Sequence, residues 1–207
     1  MENPTPPLAF DPHSERILFY LQRFKNLTYE ELATLLQLAK PRHLAASEVY
    51  MQQNSTHRKI ALILKGLIRV YTVKQNGDEI TTELNWEDQL VASQDAIFLD
   101  KPSRFTYQAM EDTDLLEIEY DALQALLEST PKLESTRKYF LMTMLAQSMD
   151  RIESFVLLSP EERYRQLVEQ KPNIINRVPN KYIATFLGIT PVSLSRLRRR
   201  MASRHER

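Results

Sequence analysis

Apolar residues near the start of the chain recur at helical spacing, and this pattern predicts two short helices. The first is predicted over Ser14–Phe24. The second is expected to begin after Thr28, because Thr28 and Glu31 stand three residues apart as in a capping box, and to end at Pro41. The proline-rich residues 1–12 that precede both helices are expected to pack loosely.

Between Ala46 and Glu119 the apolar period shortens from about 3.6 residues to about 2, which indicates β-strands. Short strands are predicted over Val49–Gln52, Ile60–Leu64, Leu67–Val73, Ile80–Leu84, Gln89–Ala92, Thr106–Ala109 and Leu115–Ile118. The pair Asn76-Gly77 favours a hairpin with a tight primed turn. Short strands at regular spacing are typical of an antiparallel barrel or sandwich of the jelly-roll or Greek-key kind.

Helical spacing returns at Tyr120–Glu128, and a long helix is expected to begin at Pro131 and to reach Leu158. Apolar positions on one side of the long helix step by four and three residues, as in a coiled-coil seam. The seam consists of Leu141, Leu145, Ser148, Ile152 and Phe155. Phe140 and several methionines lie on other sides of the helix, so we expect both a dimer interface and a contact within the chain. The alternative is a helix that packs only on its own domain.

The segment Ser159–Glu162 is a typical helix start, with a cap residue, a proline in the first position and acidic residues in the first turn. The helix is predicted to continue to Gln170. Lys171–Arg177 is expected to form a connecting loop, with a small hairpin as the alternative.

The segment Asn180–Met201 has the pattern of two short helices joined by a sharp turn. Apolar residues up to Leu187 line one face of the first helix. Gly188 then supplies the left-handed backbone conformation that such a turn needs. Thr190 is a good N-cap for the second helix, and Pro191 occupies its first position, where a missing N–H costs nothing.

The second helix of this segment has an apolar side and a cationic side. Leu194 and Leu197 are expected to be buried. The open side carries Ser193, Ser195, Arg196, Arg199 and Arg200. A helix-turn-helix needs this arrangement to present its second helix to the DNA major groove. An ordinary helical hairpin with a solvated basic face is the alternative.

The distribution of charge favours a polyanion as the partner of this end of the chain. Basic and acidic side chains number 27 each over the whole sequence. Residues 1–150, however, hold 15 basic and 22 acidic side chains, whereas residues 151–207 hold 12 and 5. An acidic body joined to a basic end indicates two units with different partners.

The composition excludes several classes of function. The chain has no cysteine, which rules out disulfides, thiolate zinc sites, iron–sulfur clusters and a cysteine nucleophile. His13, His43, His57 and His205 are not paired at metal-ligand spacing, so no metal or cofactor is expected. No apolar run approaches the roughly 18 residues of a membrane span, and no secretory signal opens the chain. We therefore expect a cytoplasmic protein.

The order of these predicted parts, together with local motifs, resembles the Crp/Fnr family of bacterial transcription regulators over nearly the whole chain. Leu62–Tyr71 and Gln75–Glu79 look like the second hairpin of that family's β-roll. Gln108–Asp112 looks like the strand that follows its phosphate-binding cassette. The C-terminal residues Ile183-Ala184, Leu187–Thr190 and Leu194–Arg196 match its DNA-binding motif.

The resemblance implies an α+β fold in three parts. These are an antiparallel β-roll effector domain (jelly-roll-like, a double-stranded β-helix) at residues 1–130, a long dimerisation helix at 131–158 and a winged helix-turn-helix at 159–207. The family further implies a homodimer that binds palindromic double-stranded promoter DNA. RNA polymerase is a candidate further partner, and no membrane is involved.

The resemblance also places particular residues on DNA. Arg196 matches the family's usual arginine and is expected to contact a base edge, where a bidentate contact to guanine gives about 1–3 kcal/mol of discrimination. Arg198 is expected to contact a phosphate. The full set of expected DNA-binding residues is Lys181, Thr190, Pro191, Val192, Ser193, Ser195, Arg196, Arg199 and Arg200. Many members carry a glutamate in place of Val192 and a polar residue in place of Pro191, so the family's usual operator need not apply.

The segment Asp88–Phe105 departs from the family's cyclic-nucleotide-binding pattern. Members that bind cyclic nucleotides use a Gly-Glu pair and an Arg-Ser or Arg-Thr step for the ribose and the phosphate. This segment has no glycine, reverses the step in Ser103-Arg104 and adds the acidic Asp95 and Asp100. We therefore expect no response to cyclic AMP. An unknown small molecule is a candidate effector, in a pocket lined by Val91, Ser93, Gln94, Phe98, Ser103 and Arg104. The alternative is a solidly packed roll.

Two other functions compete with DNA binding. The first is an enzyme whose β-roll performs chemistry. The sequence offers no His/Glu metal triad, no Ser-His pair in context and no phosphate loop, so no catalytic residue is expected. The second is a regulator or scaffold that responds to a cyclic nucleotide or another small ligand and whose basic end binds a protein partner.

Overall fold

The computed structural model describes residues 28–205, whose strands form two four-stranded antiparallel sheets. The strands are β1 (Lys40–Leu44), β2 (Val49–Met51), β3 (Lys59–Lys65), β4 (Ile68–Val73), β5 (Glu79–Asn85), β6 (Leu90–Ala92), β7 (Thr106–Ala109) and β8 (Thr113–Glu119). One sheet has the order β1-β8-β3-β6 and the other the order β2-β7-β4-β5. This is a jelly-roll arrangement. The β-roll expected from the sequence is therefore confirmed.

The two sheets enclose an apolar core. Side chains of alternating strand residues point between the sheets, which explains the period of two in the sequence. The core residues are Leu44, Met51, Ala61, Ile63, Ile68, Val70, Val91, Tyr107, Ala109 and Leu115. Each large apolar side chain buried here contributes about 1.5–3 kcal/mol relative to its exposed state.

Strand β1 is missing from the sequence-based prediction, which ends a helix at Pro41. Pro41 instead lies inside β1, at the edge of its sheet, where β1 pairs with β8. Only Leu44 of this strand is buried, so the alternation that reveals the other strands is absent. An edge strand tolerates a proline because one side of it makes no ladder hydrogen bonds.

The hairpin at Asn76-Gly77 joins β4 to β5 as predicted, but its turn is not a primed two-residue turn. Gly77 has a φ of +86°, whereas Asn76 is outside the positive-φ region. Gly77 N–H donates to Lys74 O (2.9 Å), and Lys74 N–H donates to Asp78 O (2.9 Å). The Asn76 side chain accepts from Asp78 N–H (3.1 Å), which stabilises the longer loop.

The helix α1 (Tyr29–Gln37) begins at the predicted capping box. Thr28 Oγ1 accepts from Glu31 N–H (3.3 Å), and Glu31 Oε2 accepts from Thr28 N–H (2.8 Å). The helix predicted over Ser14–Phe24 and the loosely packed residues 1–12 lie outside the described residues.

Helices also follow the strands. The short helix α2 (Gln94–Phe98) lies between β6 and β7, and α3 (Tyr120–Ser129) follows β8. After a 3-10 turn at Pro131–Leu133, the long helix α4 covers Glu134–Leu157. The remaining helices are α5 (Pro160–Gln170), α6 (Ile174–Arg177), α7 (Asn180–Phe186) and α8 (Pro191–His205).

The expected β-wing is wrong for the described residues, since residues 159–205 form helices and no strand. The small hairpin considered for Lys171–Arg177 is replaced by α6. Ile174 in this helix is fully buried, and Arg177 is held by carboxylates of the β-roll. These two anchors favour a compact turn of helix over an extended strand pair.

The C-terminal helices pack against the β-roll and share a core with it. Leu67 and Leu84 of the roll belong to the same buried cluster as Tyr164, Leu167, Ile174, Val178, Ile183, Ala184, Leu187, Leu194 and Leu197. Helix α7 lies directly on β5. The division of the chain at residues 130 and 158 stays a prediction.

Candidate nucleic-acid interface

Helix α7 ends in a turn that favours glycine. Gly188 has a φ of +73°, its N–H donates to Thr185 O (3.0 Å), and Ile189 N–H donates to Ala184 O (3.0 Å). This pair of hydrogen bonds is a Schellman motif. A Cβ at Gly188 would lie 2.8 Å from Cε1 of Phe155. Both the backbone conformation and the available space therefore favour glycine.

Helix α8 begins at the predicted cap. Thr190 Oγ1 accepts from Ser193 N–H (3.1 Å) and lies 3.0 Å from Ser193 Oγ. Pro191 is the first helical residue, and Leu194 N–H donates to Thr190 O (3.0 Å). The cap fixes the end of the helix that lies nearest the turn.

Helix α8 buries one side and exposes the other. Leu194 and Leu197 are nearly inaccessible, at 1% and 3% exposure. The residues expected to bind DNA are all exposed: Lys181, Thr190, Pro191, Val192, Ser193, Ser195, Arg196, Arg199 and Arg200. The structure thus brings the expected set onto one accessible region, and its role in DNA binding stays a prediction.

Arg198 is half-buried and has partners within the chain, and its expected phosphate contact stays a prediction. Its Nη1 donates to Asn180 Oδ1 (2.6 Å), and its guanidinium lies 5.3 Å from the centre of the Tyr164 ring. Arg198 therefore ties α8 to the start of α7. Arg200 is only loosely held, since its Nη2 lies 3.8 Å from Glu161 Oε2 and its side chain is 66% exposed.

The long helix α4 presents an exposed apolar stripe, defined here as Met142, Leu145, Met149, Ile152 and Val156. Each of these side chains is more than half exposed, and Val156 reaches 74%. The stripe repeats at steps of three and four residues, as in a coiled coil. It shares Leu145 and Ile152 with the predicted seam, but its centre is rotated away from Leu141, Ser148 and Phe155.

The other side of α4 contacts the turn of the helix-turn-helix. Arg151 Nη2 donates to Phe186 O (2.6 Å), and its guanidinium lies between the rings of Phe155 (4.4 Å) and Phe186 (3.9 Å). Burial lowers the pKa of Arg151 to about 10. Arg163 donates to Leu187 O through Nη2 (3.0 Å). Phe155, predicted only as a dimer residue, is therefore also part of the packing around Gly188.

Arg69 on β4 is buried between the roll and α7. Its Nε donates to Thr81 Oγ1 (2.9 Å), and its Nη1 donates to Glu79 Oε2 (2.7 Å). Its guanidinium carbon lies 4.1 Å from the centre of the Tyr71 ring and 3.5 Å from that of Tyr182. Because Tyr182 belongs to α7, this stack holds the first helix of the motif on the roll.

A hydrogen-bonded threonine pair continues the contact. Thr81 N–H donates to Thr185 Oγ1 (3.2 Å), and the two hydroxyl oxygens lie 3.0 Å apart. Sequence reasoning missed this interface. Its one local signal is Arg69 itself, which stands between the buried Ile68 and Val70 and so indicates that the second face of β4 is covered.

An ionic cluster closes the other end of the same interface. Arg177 Nη2 donates to Glu87 Oε1 (2.7 Å) and to Glu111 Oε1 (2.6 Å), and Lys171 Nζ donates to Glu87 Oε2 (2.8 Å). Burial alone would raise the pKa of Glu87, but the hydrogen bonds from Arg177 and Lys171 outweigh it and lower the pKa to about 2. Arg177 and Lys171 of the C-terminal region therefore form ion pairs within the molecule.

The cassette region around α2 is internally neutralised. Both carboxylate oxygens of Asp95 accept from Arg104, whose Nη2 lies 2.9 Å from Asp95 Oδ1 and whose backbone N–H donates to Oδ2 (3.0 Å). A hydrogen bond from the Arg104 side chain, above all, lowers the pKa of Asp95. Arg104, which could otherwise bind a ligand phosphate, is therefore already paired with the Asp95 carboxylate.

The six residues of the predicted effector pocket do not share one environment. Val91, Ser93 and Ser103 are buried, and the two serine hydroxyls bond to Ala96 N–H (3.3 Å) and Phe105 O (2.9 Å). The exposed members are Gln94, Phe98 and Arg104. The pocket stays a prediction.

Within residues 28–205, no group of three or more His, Asp or Glu side chains is arranged to hold a metal ion. None of the helices in that range combines the length and apolarity needed to cross a membrane.

Known proteins resemble the chain in sequence and fold. Residues 41–130 match the cyclic nucleotide-binding domain family. The "Anaerobic regulatory protein" of Haemophilus influenzae is 25% identical, with 81% of this chain and 68% of that protein covered. The "Fumarate and nitrate reduction regulatory protein" of Vibrio cholerae is 26% identical, with 81% and 70% covered.

Solved structures share the fold. FixK2 of Bradyrhizobium japonicum has a TM-score of 0.66 at 16% identity, with 81% of this chain and 86% of that chain covered. CooA of Carboxydothermus hydrogenoformans, in a mutant form, has a TM-score of 0.61 at 19% identity, with 82% and 79% covered.

A cyclic nucleotide-binding-like roll joined by a long helix to a helix-turn-helix defines a class of bacterial transcription regulators. In sequence and fold the chain is similar to regulators of this class, in agreement with the resemblance of its motifs to the Crp/Fnr family.

The ionic cluster makes a prediction about pH. Because the pKa of Glu87 lies near 2 in the folded protein against an ordinary value of 4.5, its contribution to stability is present above pH 4.5 and is lost as the pH falls towards 2. We expect Glu87→Gln to lower the free energy of unfolding by about 2 kcal/mol at pH 7 and by much less at pH 3. Urea unfolding of both proteins at several pH values measures this difference.

The control for this experiment is Glu153→Gln, which removes the same charge from an exposed position on α4. A Glu87→Gln deficit that stays constant between pH 7 and pH 3 would contradict the prediction.

Proposed function

We propose that the protein is a cytoplasmic, dimeric transcription regulator that inserts α8 into the major groove of double-stranded promoter DNA. The observation that carries the proposal is the outward face of α8, which exposes Arg196 and Arg199 while Leu194 and Leu197 anchor the helix. A rigidly held helix with an accessible cationic face is what groove binding requires. Its relatives are regulatory proteins, and the proposal includes no catalytic activity.

The contacts with DNA divide into two kinds. Arg196, one turn into α8, has the reach and geometry for a bidentate contact to guanine. Lys181, Arg199 and Arg200 lie where they can neutralise phosphates and fix the position of the helix. RNA polymerase is the further partner that the proposal expects if the protein activates transcription.

Dimerisation is proposed to occur along the exposed apolar stripe of α4. Five apolar side chains at coiled-coil spacing, each more than half exposed, favour burial against a second copy of the same helix. A two-fold axis through α4 would also give two copies of α8 for the two halves of a palindromic site.

Cyclic AMP is proposed not to be the effector. Arg104 of the segment Asp88–Phe105 is paired with Asp95, so a phosphate that took Arg104 would leave the Asp95 carboxylate unpaired. Displacing that carboxylate would cost several kcal/mol if it stayed buried. Another small molecule is left as the effector to be identified.

DNA binding is tested by fluorescence anisotropy with duplexes selected from a random pool. We expect the affinity to fall steeply with salt, with a log–log slope of about −4 or steeper, because several phosphates are neutralised. Arg196→Ala should reduce discrimination at one base pair of each half-site by about 1–3 kcal/mol. Arg199→Ala should weaken all duplexes alike and lower the slope by about 1.

The matched control is Arg42→Ala, which removes the same charge from exposed strand β1. If no duplex binds even at low salt, the proposal fails, and a basic end that binds an acidic protein takes its place.

Dimerisation is tested by sedimentation of Ile152→Glu and Gln147→Glu. Both variants add one negative charge to α4, but Ile152 lies in the apolar stripe and Gln147 on the opposite side of the helix. We expect Ile152→Glu to weaken the dimer at least about 100-fold, because two unpaired carboxylates would be buried at the axis. Gln147→Glu should leave the dimer intact. Equal effects of the two variants would contradict the proposed interface.

The effector proposal is tested by calorimetric titration of the full chain with cyclic AMP. We expect no binding at micromolar ligand, and no change in the affinity for the selected duplex. Saturable micromolar binding would show that the Asp95–Arg104 pair opens, and the proposed exclusion of cyclic AMP would be wrong.

A further inference from the structure

The outward face of α8 contains a large apolar side chain that cannot form a hydrogen bond with DNA. Val192 is 60% exposed, and it is the large apolar side chain that the described part of α8 leaves accessible. The buried side of the helix is already filled by Leu194 and Leu197. An exposed β-branched residue therefore stands on the surface that is proposed to meet DNA.

Val192 shares its side of the helix with the two arginines. Val192, Arg196 and Arg199 occupy positions i, i+4 and i+7, which lie one above another on an α-helix. Leu194 and Leu197, at 1% and 3% exposure, mark the opposite side. Any approach that brings Arg196 to a base edge also brings Val192 into the groove.

Val192 also occupies the end of α8 that enters the groove most deeply. It follows the Thr190 cap and Pro191, and the first turn of a recognition helix is the part that contacts base edges. The hydroxyls of Thr190 and Ser193 at this end lie 3.0 Å apart and share a hydrogen bond, which uses part of their hydrogen-bonding capacity. Pro191 has no N–H to donate. Val192 is the large exposed apolar side chain of this turn.

The DNA major groove has a single apolar feature. Each base pair exposes hydrogen-bond donors or acceptors there, and only thymine adds a methyl group, at C5. Placing the Val192 isopropyl group against cytosine or guanine would desolvate polar atoms without a partner, whereas the thymine methyl gains from burial.

We propose that Val192 is a specificity-determining residue that contacts the C5 methyl group of a thymine in each half-site. The inference rests on the proposed DNA-binding function and adds a base preference to it. Four residues of helix rise by about 6 Å, so this thymine lies within about two base pairs of the guanine expected for Arg196.

The test replaces thymine by deoxyuridine, which removes the methyl group and leaves the hydrogen-bonding edge unchanged. Each thymine of a selected duplex is replaced in turn, in both half-sites, and the affinity of the full-length protein is measured. We expect one position at which the replacement weakens binding by about threefold to tenfold per half-site, as loss of one buried methyl group predicts.

Val192→Ala completes a double-mutant cycle. This variant should bind the thymine duplex more weakly by a similar factor and should no longer distinguish thymine from deoxyuridine at that position. The matched control is Val73→Ala, which makes the same change at an exposed valine of strand β4. It should keep the full difference between the two bases.

The outcomes separate the inference from the function on which it rests. If duplexes are selected but no thymine responds to the replacement, or if Val192→Ala keeps the full response, the contact to a thymine methyl is refuted while DNA binding stands. If no duplex is selected at all, both the proposed function and the inference fail.

Discussion

The stack of Tyr182 on Arg69 is the contact on which the rest of the arrangement depends. It holds α7, the first helix of the helix-turn-helix, on the β-roll, and the Thr81–Thr185 pair adds a second contact to the same helix. The Glu87–Arg177 cluster fixes the preceding helix α6 on the roll. Leu67 and Leu84 extend the same packing into the core beneath α8. The orientation of the recognition helix is therefore set by the β-roll, and not only by the turn at Gly188.

This docking changes the meaning of the charge asymmetry along the chain. The charge pattern predicts a polyanion as the partner of the basic end, yet Arg177 and Lys171 are neutralised by Glu87 and Glu111 of the acidic body. Part of the attraction between the two halves is thus satisfied within one molecule. Arg196 and Arg199 of α8 face outward and are accessible to an external partner.

Local patterns predict most of the elements but not the contacts between them. Gly188, Thr190 and Pro191 locate the helix-turn-helix because each has a specific backbone role. Strand β1 is not predicted because it buries only Leu44 and so lacks an alternating pattern. The inward direction of the Arg198 side chain depends on its contacts with Asn180 and Tyr164, and the spacing of residues in α8 does not reveal these contacts. The bond between Thr81 and Thr185 joins residues 104 positions apart, so it leaves no periodic trace in the sequence.

The ring of Phe155 rests on the bare backbone of Gly188, and the same helix carries the stripe proposed to join two copies. In such a dimer the rotation of α4 about its own axis would determine which of its side chains contact the partner copy. The same rotation would determine the position of the turn at Gly188. The distance between the two copies of α8 would then depend on the helical geometry of α4. A one-residue insertion between Ile152 and Phe155 would alter the phasing of the operator without touching any residue that meets DNA.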